Sequence, residues 1–245
     1  MLTAPPSIAA AHQQLAAPAE HKTQDFALAV MPYLWAAGVS GEASLGNGPS
    51  AGTEVDFADL LDNLEGAVML AAEARIGRDL GLLGDVTWLA LEKDGTATAL
   101  AVPVRGDIEM IHAQLSGVWR PPGQKDVFFD VLAGVRVIDL ELEFQGGGPF
   151  AVRSSASTTL VDPVIGLRAV VPIGDSFQFL AHGDVGGFGA GSDLSYQFLA
   201  SFGWSISRTV GIGLGWRHLG VDYSDQDLAV NFDFSGPLLG MRIAF

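Results

Sequence analysis

Apolar and polar residues alternate with a period of two through residues 26–245, which is the spacing of side chains along a β-strand. Near the end of the chain, for example, Leu239 and Met241 alternate with Gly240 and Arg242. This alternation predicts ten strands, and because such boundaries are good to only a few residues, eight or twelve strands remain open. The ten predicted strands cover 26–45, 66–76, 80–92, 96–119, 127–145, 151–172, 176–188, 193–207, 210–224 and 229–245.

The connections between the predicted strands are of two kinds, which alternate along the chain. One kind is short, as at 77–79, 173–175 and 207–209, whereas the other, as at 46–65 and 146–150, is more variable and rich in Gly, Pro and polar residues. Short turns at one end and looser loops at the other are typical of antiparallel transmembrane β-barrels. An even number of strands then puts both ends of the barrel on the short-turn, periplasmic side.

Two segments depart from the strand pattern. In Val55–Leu64 the apolar residues have the spacing of one face of a helix, which predicts a short amphipathic helix in the first outer loop; they are Phe57, Leu60, Leu61 and Leu64. Residues 1–25 are rich in Ala, Pro and Gln and show no periodicity. We expect them to be a disordered tail or the remnant of an export signal, ahead of a single barrel domain at 26–245.

The two faces of the predicted strands differ in size more than in charge. In the strand at 210–224, Leu214 and Trp216 oppose Gly213 and Gly215. A soluble barrel buries its large residues and exposes charge, but here the face opposite the large residues holds Gly, Ser and some charge, which is too little charge for a face in water. We therefore expect the large face to contact lipid and the small, polar face to line a lumen. A soluble β-sandwich or a lipocalin-like binding protein remains an alternative.

The alternation changes phase within several strands. In the strand at 127–145 the apolar set passes from Val135 and Val137 to Ile138 and Leu140, and similar changes occur near Met110, Arg217 and Pro237. One extra residue in a strand forms a β-bulge, which would keep the polar residues inward beyond the change of phase. The alternative is that the assignment of faces fails beyond each of these points.

Composition narrows the class of protein further. The chain of 245 residues contains no cysteine, so disulfides and cysteine-ligated metals are excluded. Its formal net charge of −15, without a basic stripe, argues against a nucleic-acid partner. Its mean hydropathy is +0.32, although no apolar run reaches the roughly 18 residues of a membrane-spanning helix. Apolar residues dispersed at every second position reconcile these facts, since a transmembrane β-barrel has this distribution.

Five stretches of the chain together carry a resemblance to a known family: Pro32–Gly38, Val55–Leu64, Asp162–Arg168, Gly183–Asp193 and Gly236–Phe245. The family that they resemble is the largely uncharacterised outer-membrane β-barrel proteins of Gram-negative bacteria. The resemblance covers about 26–245 and implies a barrel in the outer membrane, in contact with lipid and lipopolysaccharide, but it implies no activity and no cofactor. The terminal Phe245 looks like the C-terminal signal that the barrel-assembly machinery reads.

Ionisable residues are unusually frequent on the face that we assign to the lumen. Unpaired charge in a narrow tube would be costly, so we expect a network of salt bridges across the lumen. Such a network would act as a structural plug or would line a narrow, gated path for a solute. Its predicted members are Arg75, Arg136, Arg168, Arg217, Arg242, Glu73, Asp85, Asp130, Asp162 and Asp184.

Two further groups of residues are predicted to mark the ends of the barrel. A possible cation-binding rim in the outer half would use carboxylate oxygens, although such residues are more often simply solvated; they are Asp139, Glu141, Glu143 and Asp222. Aromatic residues are candidates for the girdles at the two membrane interfaces, namely Tyr33, Trp35, Trp88, Trp119, Tyr196 and Trp204.

Catalysis is the less favoured prediction. A lipid-modifying enzyme resembling a lipid A deacylase would need a histidine and a nucleophilic serine at the lipid face. His218 with Ser224 nearby is the best candidate, but Gly220 stands where the deacylase serine would be. His182 and His112 are weaker candidates, and no histidine-based zinc motif is present. We therefore predict a structural or narrow-channel role and not an enzyme.

Overall fold

The computed structural model describes residues 26–45, 51–55, 64–97, 102–146, 152–225 and 228–245. Among these residues no helix is long and apolar enough to cross a membrane. The described chain forms twelve β-strands: β1 (Phe26–Trp35), β2 (Gly38–Leu45), β3 (Ala51–Val55), β4 (Leu64–Ile76), β5 (Leu80–Ala97), β6 (Val102–Trp119), β7 (Phe128–Gly146), β8 (Val152–Ile173), β9 (Phe177–Gly187), β10 (Leu194–Ser205), β11 (Val210–Ser224) and β12 (Leu228–Ala244).

The strands close into an antiparallel barrel, because β1 pairs with β4 on one side and with β12 on the other. β12 pairs along its length with β1 and then with β2, in one continuous register. β1 and β2 are therefore one long strand interrupted at Ala36–Ala37, where the Ala36 amide donates to the carbonyl of Pro237 at 2.8 Å. This confirms the predicted ten-stranded barrel, and β3 is an additional strand that pairs with β2.

The additional strand lies where the sequence predicted a loop. Val55 ends β3 and Leu64 begins β4, so both ends of the predicted helix belong to strands. Residues 56–63, its remainder, lie outside the described residues, as do residues 1–25.

The short turns and both ends of the barrel lie on one side. Gly77 and Gly174 adopt φ of +64° and +60°, which favours glycine in these tight turns. At the same end the amide of Phe245 donates to the carbonyl of Leu28 at 2.8 Å. We call this side the inner, periplasmic end, because outer-membrane barrels place their short turns there.

Around the periplasmic half of the barrel the exterior is apolar and the interior is polar. Arg136 and Asp130 are both 0% exposed inside, whereas large apolar side chains cover the outside. This arrangement is the reverse of a soluble barrel and is stable only where lipid surrounds the wall. The exposed apolar residues include Leu34, Leu82, Leu115, Phe129, Leu167, Phe198, Leu214 and Leu239.

The predicted β-bulges at the changes of phase are wrong. A bulge sets two residues against one and shifts the register, yet β7 pairs with β6 from Val131 to Gly146 without a shift. The pairing of β11 with β10 and β12 is equally continuous across Arg217 and Pro237. Side chains therefore alternate inward and outward without interruption along each strand. What changes along the strand is which of the two faces carries the apolar residues.

Beyond this exchange the wall has the distribution of a soluble barrel. Ile138 and Leu219 point inward and are buried, whereas Glu141 and Asp222 are exposed on the outside. In β7 the outward apolar residues run from Phe129 to Val137, about the nine residues that a tilted strand needs to cross the hydrocarbon. The outer part of the wall therefore projects beyond the membrane into water, and we call it the projecting wall.

The position of this boundary can be tested on one face of β11. Leu214 is 62% exposed on the lipid side, and Asp222 is exposed on the same face in the projecting wall. Leu214→Arg is expected to lower the free energy of unfolding by about 2–4 kcal/mol. Asp222→Arg is expected to change it by less than about 0.5 kcal/mol. Urea unfolding in lipid vesicles measures both, and equal losses would contradict the boundary.

Candidate functional site

The lumen near the periplasmic end holds a cluster of charges centred on Asp130, at the start of β7. Its carboxylate accepts from Arg120 Nε at 2.7 Å, from Arg168 Nη2 at 2.7 Å and from Arg75 Nη2 at 2.9 Å. Glu73 accepts from Arg75 Nε at 2.6 Å and from Arg168 Nη1 at 2.8 Å. These five residues, the inner charge cluster, join β4, β7 and β8 to the end of β6.

Arg120 is the member of this cluster that the sequence prediction missed, because it begins the Pro-rich segment assigned to a turn. Its position continues the inward alternation of Ser116 and Val118, which was the available signal. Its backbone amide donates to the Asp79 carbonyl at 2.7 Å. Its guanidinium lies 4.9 Å from the centre of the Phe128 ring.

A second cluster, the central cluster, surrounds Arg136. Arg136 is ion-paired with Asp184 and donates from Nη2 to Gln114 Oε1 at 2.8 Å. It also donates from Nη1 to Ser195 Oγ at 3.2 Å. His182 Nε2 lies 2.7 Å from the second carboxylate oxygen of Asp184. The cluster therefore connects β6 and β7 to β9 and β10 across the interior.

A third cluster is built on Arg217, which reaches from β11 to the far wall. Its Nη2 donates to Asp85 on β5 at 3.0 Å, and its Nη1 donates to the Tyr33 hydroxyl at 2.7 Å. Its Nε donates to Gln197 Oε1 at 3.0 Å. The guanidinium also lies 4.7 Å from the ring centre of Trp35, a cation–π distance. We call this the Arg217 cluster.

Tyr33 and Trp35 were predicted to belong to an interfacial girdle, and this is wrong. Both side chains are buried in the lumen, because the alternation of β1 turns them inward. Trp119, Tyr196 and Trp204 are exposed on the outside. Trp88 also lies on the outward face and donates from Nε1 to Glu109 at 2.7 Å.

Two predicted members of the network lie apart from these clusters. Asp162 is 0% exposed, but it accepts hydrogen bonds at 2.7 Å from the amide and from the hydroxyl of Ser192, in the turn between β9 and β10. Arg242 faces the lumen near the periplasmic end, and its buried Nη1 has no hydrogen-bond partner among the described residues. Asp162 thus holds a turn, and Arg242 is a cation without a matched anion in the part of the chain described.

The interior is apolar above the charge clusters. The inward residues of the projecting wall pack into one buried cluster, and Leu219 within it is 0% exposed. We call this cluster the apolar layer; it comprises Tyr33, Trp35, Met110, Ile138, Leu160, Leu219, Val221 and Phe234.

The predicted cation rim is not a single cluster. Asp139, Glu141 and Glu143 lie on the outward face of β7, whereas Asp222 lies on β11, with β8, β9 and β10 between them. Asp139 accepts from the Thr159 hydroxyl at 2.5 Å. Among the described residues, no group of three or more histidines or acidic residues could hold a metal ion.

The histidines considered for catalysis are placed in different environments. His218 lies on the outside of β11, with Nε2 at 3.2 Å from Asp233 and at 3.5 Å from the Tyr196 hydroxyl. Ser224, the serine considered with it, donates to Asp193 at 2.8 Å. His182 is a buried member of the central cluster, and His112 is buried with Nδ1 at 3.4 Å from Asp85.

The lipid-facing belt, the closed antiparallel sheet and the polar lumen together define an integral β-barrel of the Gram-negative outer membrane. The chain is similar to the outer-membrane protease OmpT from Escherichia coli, with a TM-score of 0.59 and 8% identity over 92% of this chain and 99% of that one. It is also similar to the translocator domain of the autotransporter NalP from Neisseria meningitidis, with a TM-score of 0.52 and 12% identity over 91% and 89%. The sequence matches no protein-family model and no curated protein. At such identities the likeness concerns the fold.

Proposed function

We propose that this chain is a closed, structural outer-membrane barrel, which anchors the projecting wall at the cell surface and conducts no solute at rest. The observation that carries the proposal is the apolar layer across the outer half of the lumen. Ions cross a pore with their hydration water or with polar ligands in its place, and a dewetted apolar constriction supplies neither.

The three charge clusters are better suited to holding the walls of the barrel together than to conducting a solute. Arg217 joins β11 to β5, and Arg136 joins β7 to β9, so each ties together walls that are not neighbours in the sheet. Buried ion pairs contribute little net stability, but breaking one leaves an uncompensated charge. The clusters therefore favour one arrangement of the walls over sheared alternatives.

Phe245 is also a candidate for recognition during assembly of the barrel. It is 71% exposed at the end of the barrel, directly after β12, where a partner can reach its ring. We propose that the barrel-assembly machinery reads this residue, and that lipid and lipopolysaccharide surround the exposed belt of the finished barrel.

Single-channel recording in planar bilayers tests the closed state. Barrel preparations whose electrophoretic mobility changes on heating, which marks folded protein, are expected to give no discrete conductance steps. Arg136→Met is expected to remain silent, because the apolar layer is still in place. Met110→Ser combined with Leu219→Ser is expected to produce steps, since hydroxyls hydrate the constriction.

A second candidate, a narrow gated channel, is supported by a cavity of about 180 Å³ in the periplasmic half of the lumen. Discrete steps from the unmodified protein would favour this channel and contradict the closed barrel. Steps that first appear with Arg136→Met would show that the ion pair is the gate, which also contradicts a seal made by the apolar layer.

A further inference from the structure

The periplasmic half of the lumen contains a partly open cavity of about 180 Å³. Arg242 and Gln178 contribute to its wall close to the short turns, and Gln197 and His182 contribute to it farther in. An apolar cavity of about 150 Å³ is large enough to hold benzene. The space therefore suits a molecule about the size of one aromatic ring with a small substituent.

The charges around this cavity are unbalanced. The inner charge cluster sets three guanidinium groups against the carboxylates of Glu73 and Asp130. Arg242 adds a fourth guanidinium, whose buried Nη1 has no hydrogen-bond partner in the described residues. Of the charged side chains that line the cavity, three are guanidinium groups (Arg120, Arg168 and Arg242) and two are carboxylates (Glu73 and Asp85), although the whole chain carries a net charge of −15. A guanidinium with one buried donor atom that lacks a partner favours an anionic guest.

Besides its charged and polar residues, which include Glu73, Asp85 and Gln114, the wall is apolar or bare. Leu83, Leu180 and Leu199 line the cavity from β5, β9 and β10. Gly211 on β11 lies directly opposite Arg242 in the strand pairing and contributes no side chain to the wall. Gly213 also faces the lumen, and an added Cβ there would meet nothing closer than 3.7 Å. The cavity therefore combines a guanidinium at one side with hydrocarbon at the other.

We propose that this cavity binds a small amphipathic monocarboxylate, of the size of benzoate, which enters from the periplasmic end. Arg242 pairs with the carboxylate, and the leucine side chains cover the apolar part. Such a guest supplies a charged acceptor and buries its hydrocarbon at once, whereas inorganic phosphate has no hydrocarbon and a neutral molecule has no charge. This site goes beyond the proposed closed barrel and does not depend on it, since the guest needs access from one end.

Calorimetric titration of the folded barrel in a non-ionic detergent tests the proposal, with sodium benzoate as the probe. Benzoate is expected to bind at least tenfold more tightly than benzamide, which has the same size and no charge, and than inorganic phosphate, which has no apolar part. Arg242→Gln is expected to weaken benzoate binding at least tenfold and to leave benzamide unchanged. Arg208→Gln is the matched control, because Arg208 is exposed in a turn at the same end.

A second variant does not alter the charge. Leu199→Trp fills the cavity and is expected to abolish benzoate binding in protein that still shows heat-modifiable mobility. The proposal is overturned if unmodified, folded protein does not bind benzoate, if benzoate and benzamide or phosphate bind equally, or if Arg242→Gln leaves the benzoate affinity unchanged. These outcomes are read from binding alone, so they are distinct from a failure of the closed-barrel proposal, which is read from conductance.

Discussion

Asp130→Asn is expected to lower the free energy of unfolding by about 3–5 kcal/mol, the cost of leaving buried charges without their partner. Asp130 is 0% exposed and accepts from the guanidinium groups of Arg75, Arg120 and Arg168. An amide in its place keeps the shape but removes the negative charge that faces these three guanidinium groups. Urea unfolding of the barrel in lipid vesicles measures the loss.

The matched control is Asp175→Asn, in an exposed periplasmic turn, for which we expect a change below about 0.5 kcal/mol. A double-mutant cycle with Arg120→Met sharpens the test. Removing one cation together with the anion is expected to cost at least about 1 kcal/mol less than the two single losses combined. Additive losses, or a loss below about 1 kcal/mol for Asp130→Asn, would contradict the proposed electrostatic role.

The second large effect is expected at Arg217. Arg217→Met keeps much of the length of the side chain but removes the charge and the donors that reach Asp85, Tyr33 and Gln197. Asp85 is then left as a carboxylate without its guanidinium, and we expect a loss of about 3–5 kcal/mol. The same vesicle unfolding assay measures it.

Arg217→Lys separates charge from geometry. Lysine retains one positive charge but cannot present the planar fork or stack on Trp35, so we expect a loss between that of Arg217→Met and that of the unmodified protein. Arg208→Met, in an exposed turn, is the control and is expected to be nearly neutral. A lysine variant as unstable as the methionine variant would assign the stability to the fork rather than to the charge.

Strand positions could be read from the sequence because they depend on local chemistry. The predicted strand at 210–224 and the strand β11 (Val210–Ser224) have the same bounds. The turns at Gly77 and Gly174 need a positive φ that glycine adopts freely. The extra strand β3 was missed, because it is only five residues long and lies in a segment rich in Gly and polar residues that was assigned to a loop.

The bulges were predicted wrongly for a physical reason. Two consecutive apolar residues, such as Val137 and Ile138, interrupt the alternation when an extra residue is inserted into the strand. The same interruption occurs where the outside of the wall passes from lipid to water. Period two shows which residues share a face, but not which medium each face meets. Only the continuous register of β7 with β6 and β8 distinguishes the two cases.

The composition of the lumen was predictable, but its pairing was not. Alternation placed Arg136 and Asp184 on the polar face, yet their contact depends on the tilt and stagger of strands that are not neighbours. Arg120 was missed because the prolines after it suggested a turn. Tyr33 and Trp35 were assigned to the exterior because aromatic residues are common in girdles, although the alternation of β1 turns them inward.

The sequence by itself determined the class of this protein: a transmembrane barrel of about ten strands, with the periplasmic end identified by its short turns. These properties follow from period-two alternation and turn chemistry, which act between residues a few positions apart. The tertiary structure alone decided where the wall leaves the membrane, which charges meet, that an apolar layer crosses the outer lumen, and that Arg242 borders a cavity. These depend on closure of the sheet, which brings together side chains from distant strands and sets the medium on each side of the wall.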